Sequence, residues 1–257
     1  MSDEVVFASL GAPLRVRPRA LELAAHRVVE SQHVVATRKL VDSDEEQRLL
    51  EELIDKVKPP VPAGPEFRGL HYLLFTSFRH PPLRWGSRFG TVTERGIWYG
   101  AKEQATCFAE VAYYRLLFLE GSSADLAPVT VELTAFVAQI RAKRSLDLTR
   151  PPFAAHEARL ASKTTYAACH ALGREMRAAG IDLFLFRSAR AKKKGTNVGL
   201  YGPAFARKTP KQYEAWTCTV DHDKVELVQK SLAHRVPKRL TFPRADFEVD
   251  GKLPTPS

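Results

Sequence analysis

RHPPLRWGSRFGTVTERGIWYGAKEQATCFAE, residues 79–110, carries three polar side chains at even intervals: Arg88, Tyr99 and Glu110, each eleven residues from the next. Arg88 stands between Gly86-Ser87 and Phe89-Gly90. Tyr99 closes a short apolar run, Gly96-Ile97-Trp98-Tyr99, that reads as a strand. Glu110 falls within Glu103–Leu119, which reads as a helix with Cys107, Val111, Tyr114 and Phe118 on one face; it borders that face, three residues after Cys107 and four before Tyr114. Consecutive elements usually neighbour each other in space. A cation, an aromatic hydroxyl and a half-buried carboxylate are therefore expected to line one cleft. On spacing alone, a structural ion pair between Arg88 and Glu110, with Tyr99 in the core, is the commoner fate of such residues.

Upstream, Leu70–Phe78 is rich in Leu, Tyr and Phe and reads as a strand, stopped by Pro81-Pro82. Pro59, Pro60, Pro62, Gly64 and Pro65 read as a linker. Before it, Ser43-Asp44-Glu45-Glu46 has the pattern of a capping box and opens a helix with Leu49, Leu50, Leu53, Ile54 and Val57 on one face. Arg19–Leu40 has apolar residues at helical spacing, and the first 18 or so residues read as a loose arm. Residues 1–62 are thus expected to be an arm and helical segment, and residues 63–257 the main domain. A helical hairpin packed on the core and a partner-binding element are both open readings of the former.

Downstream, Val129–Ile140 alternates as a strand, and Arg150-Pro151-Pro152 breaks the pattern. Thr164 or Thr165 is expected to cap a helix through Ala179, closed by Gly180. Ile181–Phe186 is a near-continuous apolar run, expected to be a strand buried on both faces that delivers Arg187 and Ser188 at its end. Val198–Tyr201 reads as another strand, and Trp216–Val220 with Lys224–Val228 as a hairpin around Asp221-His222-Asp223. The fold class is α+β.

Composition narrows the function. At 257 residues the chain can hold one substantial domain, and 44% apolar content suits a globular protein. Neither a run of 18 apolar residues nor a basic-then-apolar leader is present, so neither membrane span nor secretory signal is expected, and the expected place is the cytoplasm. The three cysteines, Cys107, Cys169 and Cys218, are far apart and read as free thiols. Cys169-His170 is discounted as a nucleophile and base because adjacent helical residues do not face each other. No dinucleotide-binding glycine motif, P-loop or nucleophile elbow occurs; His156-Glu157 lacks its second histidine, since position 160 is Leu160, and no metal site is expected. A net charge of +10 suits an anionic ligand, a nucleic acid or an acidic partner. The densest basic run, Arg187, Arg190, Lys192, Lys193 and Lys194, follows a buried strand and precedes Gly195 and Asn197. Contact with a phosphate or dinucleotide, a solvated loop, and nucleic-acid binding are its three readings; no aromatic side chains interleave it for base stacking.

The order of motifs resembles the RES domain, a family of bacterial toxins named for an Arg, a Glu and a Ser. Gly86-Ser87-Arg88-Phe89, Tyr99-Gly100-Ala101, Ala109-Glu110-Val111, Arg187-Ser188-Ala189-Arg190 and Gly195-Thr196-Asn197 follow the family's sequence of motifs, over roughly residues 68–215. The resemblance implies a core like that of the ADP-ribosyltransferases, two small sheets with flanking helices and NAD bound between them; the N-terminal helical segment lies outside that core. It implies cleavage of the bond between nicotinamide and ribose, with NAD as substrate and no cofactor. Phosphate or water is the implied acceptor, and an antitoxin of the Xre type, a small DNA-binding protein, the implied partner. Catalysis would rest on Arg88, Tyr99, Glu110 and Ser188, and NAD would be held by Arg79, Arg88, Tyr99, Ser188 and Asn197. The chemistry is coherent. Nicotinamide leaves neutral and needs no general acid, while the ribose becomes an oxocarbenium ion that a carboxylate, Glu110, stabilises. An aromatic ring, Tyr99, would stack on nicotinamide, and a guanidinium, from Arg79 or Arg88, would grip the pyrophosphate. The alternatives are a protein ADP-ribosyltransferase and a basic nucleic-acid-binding module without catalysis. A homo-oligomer is compatible with all three, and nucleic acid would be reached only through the antitoxin under the first.

Overall fold

The computed structural model describes residues 4–31, 41–80, 82, 86–124, 126–230 and 236–255. Among the described residues there are five α-helices, a two-stranded sheet and an eight-stranded sheet, an α+β fold. None of the helices is long and apolar enough to cross a membrane.

The chain opens with a hairpin, β1 (Val5–Phe7) and β2 (Leu14–Val16), rather than a loose arm. Phe7 is wholly buried and packs edge-on to Phe153. The Glu175 carboxylate accepts from the N–H groups of Ala8 and Ser9 and from the Ser9 hydroxyl, which ties the hairpin down.

The expected helix over residues 19–40 is corrected. Arg19–Glu30 is a strand, β3, that pairs with a later strand along nearly its whole length; residues 32–40 lie outside the described residues. Its apolar residues satisfy both periods. Leu21, Leu23, Ala25 and Val29 alternate onto one face of the sheet and join one core cluster, whereas helical spacing was equally visible in Leu21, Ala24, Ala25 and Val28. Pairing with the sheet decides between them. The capping box does form a helix, α1 (Asp44–Val57): the Ser43 hydroxyl accepts from the Glu46 N–H at 3.1 Å, while the Glu46 side chain reaches the Asp42 N–H at 2.9 Å.

The expected strand over Leu70–Phe78 is also corrected, to a helix, α2 (Tyr72–Arg79). A nine-residue apolar run is ambiguous by pattern. His71 Nδ1 caps it by accepting from the Leu73 N–H, and Leu73, Leu74 and Phe78 face the same core cluster as Trp98.

The remaining elements are β4 (Trp98–Ala101), α3 (Gln104–Glu120), β5 (Val129–Asp147), α4 (Glu157–Leu160), α5 (Ala167–Ala178), β6 (Leu183–Arg187), β7 (Thr196–Leu200), β8 (Lys211–Val220), β9 (Lys224–Lys230) and β10 (Arg239–Pro243). Of these, β4, α3, α5, β6, β7 and β9 match the expected elements to within a few residues; β5 runs on to Asp147, β8 begins earlier, at Lys211, and α4 and β10 have no counterpart among the expected elements. At the start of α5 the Thr165 hydroxyl accepts from the Ala167 N–H, and Gly180 ends it at φ +64°.

Strand order in the large sheet is β10-β9-β8-β5-β3-β4-β7-β6, with β6 returning to pair in parallel with the far end of β5. The two expected sheets are therefore joined. Their joint on one side is the long β5; on the other it is the single β3–β4 pair His26–Ala101. Beyond that pair the two strands diverge, and a cleft opens between them.

Candidate active site

That cleft is a cavity of about 840 Å³. Tyr99 and Gly100 of β4, Glu110 of α3, Asn197 of β7 and Arg88 of the preceding loop all line it. The convergence expected of residues 79–110 is therefore met in space.

Each side chain is held by a local device. Arg88 sits in a tight loop closed by the Ser87 N–H on the Gly90 carbonyl at 2.7 Å. Gly86 enters that loop at φ +74°, and a Cβ there would come 2.5 Å from the Gly90 oxygen, so the position requires glycine. The Tyr99 hydroxyl accepts from the Phe89 N–H at 3.1 Å and shares a 3.1 Å hydrogen bond with Ser87 Oγ. Burial pushes its pKa far above the ordinary tyrosine value, and these two bonds only partly oppose it. Tyr99 thus pins the Arg88 loop with its hydroxyl while its ring meets Phe186 edge-on, 6.1 Å between centroids.

Arg88 is 7% exposed. Its Nη1 donates to the carbonyls of Leu160 at 3.2 Å and Ser162 at 2.9 Å, and its guanidinium lies 4.6 Å over the Tyr166 ring. Glu110 is held by other partners. Its Oε1 accepts from Ser188 Oγ at 2.6 Å and from Asn197 Nδ2 at 2.7 Å. The simple reading of Arg88 and Glu110 as a direct structural ion pair is not what the structure has. Ser188 also accepts from the N–H groups of Arg190 and Ala191, at 3.1 and 3.0 Å, so one hydroxyl fixes the loop after β6 and the carboxylate together. Gly195 closes that loop against α3; a Cβ there would come 2.2 Å from Thr106 Oγ1.

Two expectations on the basic residues change. Arg79 is the last residue of α2 and donates from Nε to the Pro59 carbonyl; it holds the linker and is not among the cavity-lining residues, whereas its neighbours Ser77 and His80 are. The run 187–194 turns away from the cleft. Arg187 bonds the Lys194 carbonyl and Thr196 Oγ1 and pairs with Glu157, and Arg190 with Lys192–Lys194 lines a second cavity.

The residue that the sequence reading missed is Arg27, on β3. It lines the cleft, donating from Nη1 to the Tyr99 carbonyl and from Nη2 to Ser77 Oγ, both at 2.7 Å. Its guanidinium is 5.1 Å from the centroid of the Trp98 ring. Nε is buried with no hydrogen-bond partner, and no carboxylate pairs with Arg27 among the described residues. Burial lowers its pKa to about 10, with Cys107 opposing, so it is cationic at neutral pH. Arg27 is half-buried; a guanidinium partly withdrawn from water without a counter-ion is costly, and an anion entering the cleft would relieve that cost. The signal was in the sequence: read as a strand, Leu21, Leu23, Ala25, Arg27 and Val29 form an apolar row with one charge in it.

The cleft therefore offers two guanidinium groups, one carboxylate preorganised by two donors, and an apolar mouth formed by the exposed Tyr114 and Phe118. Cys107 lines it too, but burial pushes its thiol up to about 12 and its Sγ donates to the His26 carbonyl, which makes it a poor nucleophile. No curated protein matches the chain. A family model described as the RES domain matches residues 64–221, a span that holds Arg88, Tyr99, Glu110, Ser188 and Asn197 together, and the chain belongs to the RES domain family.

Proposed function

We propose that this protein cleaves the nicotinamide–ribose bond of NAD, with phosphate or water as acceptor, and acts as a toxin in the cytoplasm. RES domains are in general NAD-processing. The observation that carries the reading is the arrangement at Glu110. Two neutral donors converge on Oε1 and hold the carboxylate in a fixed direction in a cleft that is also lined by Arg27, Arg88 and apolar groups. Such a group is complementary to a ribose oxocarbenium ion, whose charge appears only as nicotinamide departs. Arg27 and Arg88 supply the positive charge that the substrate pyrophosphate, charged throughout, requires.

In the reaction the C–N bond breaks with its electron pair going to nicotinamide, which leaves neutral. The oxygen of phosphate or water then attacks the ribose carbon, and water loses a proton to solvent. Ser188 and Asn197 position Glu110; Asn197 lines the cleft, whereas Ser188 is not among the cavity-lining residues and acts through the carboxylate. An Xre-type antitoxin, as the RES resemblance implies, would silence the enzyme by covering the cleft; Tyr114 and Phe118 at its mouth are the apolar side chains such a partner would bury.

The test is incubation of the purified, partner-free chain with NAD, with and without phosphate, and quantification of nicotinamide and the ribosyl product. Nicotinamide release is expected. A phosphate-dependent rate with a phosphorylated ADP-ribose product identifies phosphorolysis; ADP-ribose alone identifies hydrolysis. Intact NAD after long incubation with folded protein rejects the reading. A label carried from NAD onto protein would instead favour a protein ADP-ribosyltransferase.

A further inference from the structure

The basic run after Ser188 does not serve the NAD cleft, and its surroundings indicate a second ligand. Arg190 and Lys192–Lys194 line a separate cavity of about 490 Å³ on the other side of α3. Cys107 and Glu110 face the first cavity, whereas Thr106 and Ala109 face the second. The far wall is Thr241, Phe242 and Phe247, which lie outside the residues matched by the family model.

Arg190 is the central observation. It is 3% exposed, its guanidinium sits 3.5 Å over the Tyr113 ring and donates from Nη2 to the Lys163 carbonyl, and its Nη1 is buried with no hydrogen-bond partner. The first turn of α3 opens onto the same cavity through Glu103, Ala105 and Thr106, and no side chain caps that helix. Its N-terminal N–H groups add to the positive field. Two carboxylates are present, and both are engaged. Glu103 Oε2 accepts from Thr106 Oγ1 at 3.0 Å and the Thr196 N–H at 2.9 Å, and Asp246 pairs with Lys192 at 2.8 Å. Lys194 pairs with Glu157, at 3.6 Å, while Lys193 has no ion pair among the described residues. Four cations thus face two satisfied carboxylates.

We infer that this cavity is a second anion site, which takes a phosphate or diphosphate group and is distinct from the cleft at Glu110. The loop that would hold the anion is the loop whose Arg190 and Ala191 N–H groups bond Ser188, so an occupant braces the residue that orients Glu110.

The test is calorimetric titration of the full chain with inorganic pyrophosphate. Because the readout is binding, it is decided independently of whether NAD is cleaved. The wild type is compared with Lys193→Glu, in the second cavity, and with Lys143→Glu, an exposed lysine on β5. Lys193 is exposed, so that variant is expected to melt as the wild type does. The expected result is saturable binding that Lys193→Glu weakens at least about tenfold and Lys143→Glu leaves unchanged. Absence of binding, wild-type affinity in Lys193→Glu, or equal loss in both variants, the mark of diffuse attraction, would overturn the proposal. Titration with adenosine diphosphate distinguishes the source: tighter binding that is again lost in Lys193→Glu places a nucleotide against Phe242, and equal binding indicates a free anion.

Discussion

Ser188 donates its hydroxyl proton to Glu110 Oε1 at 2.6 Å, and Asn197 donates to the same oxygen at 2.7 Å. Both neutral partners of the carboxylate therefore meet on one atom. The side chains come from β7 and from the loop after β6, and they fix a residue on α3, so the charge is positioned by three elements.

Glu110→Gln follows directly from this geometry. An amide oxygen in the place of Oε1 can accept both bonds, so the variant is expected to fold and melt close to the wild type and still to bind NAD. Its kcat and kcat/KM should fall together by about 10²–10³, the usual loss for one preorganised electrostatic group. Melting curves and NAD turnover on the same samples check this; near-normal turnover in the folded variant would defeat the catalytic assignment.

The arginines are expected to behave differently. Arg27→Met removes a cation that meets substrate charge in ground and transition states alike, so KM for NAD should rise by about tenfold or more with kcat little changed, the range for charge-assisted hydrogen bonds. Arg88→Ala should raise KM as well and also lower the melting temperature, because the Leu160 and Ser162 carbonyls lose their donor. Steady-state kinetics paired with thermal melts separate the two effects.

Asn197→Asp places a second carboxylate against Glu110 at hydrogen-bond distance. Like charges that close favour retention of a proton, which raises the pKa of the pair. The acid limb of the pH–rate profile should move to higher pH relative to wild type, and activity should recover as pH rises. An acid limb in the same place would show that Glu110 ionisation does not control the rate.

Burial raises all three thiols, Cys107 to about 12 and Cys169 and Cys218 to about 11, from an ordinary value of 9.0. The folded chain therefore keeps protons that the unfolded chain releases. This contribution to stability is complete below pH 9 and is lost progressively between about 9 and 11–12. Denaturant midpoints should fall across that window, and a thiol reagent at neutral pH should count three cysteines only after unfolding. Rapid labelling of the native protein would count against the burial.

The local chemistry was legible in the sequence where several independent signals agreed. The turn around Arg88 has its glycines, the helix carrying Glu110 has an apolar face, and the Leu183–Phe186 strand is buried at every position. The capping box before α1 states its own geometry. At β3 and α2 the local signals conflicted, since short apolar runs fit both periods and only the neighbours with which they pack choose between them. That choice carried the largest functional consequence. Read as a helix, Arg27 is one polar residue among many; paired in the sheet, it becomes a half-buried cation that lines the cleft and bonds the Tyr99 carbonyl. Likewise the sequence alone determined that a basic run follows Ser188, but only the tertiary structure decided which side of α3 that run occupies. A chain's pattern reports each residue's preference for burial and turn, whereas the separation of two cavities by one helix depends on contacts between segments far apart in sequence.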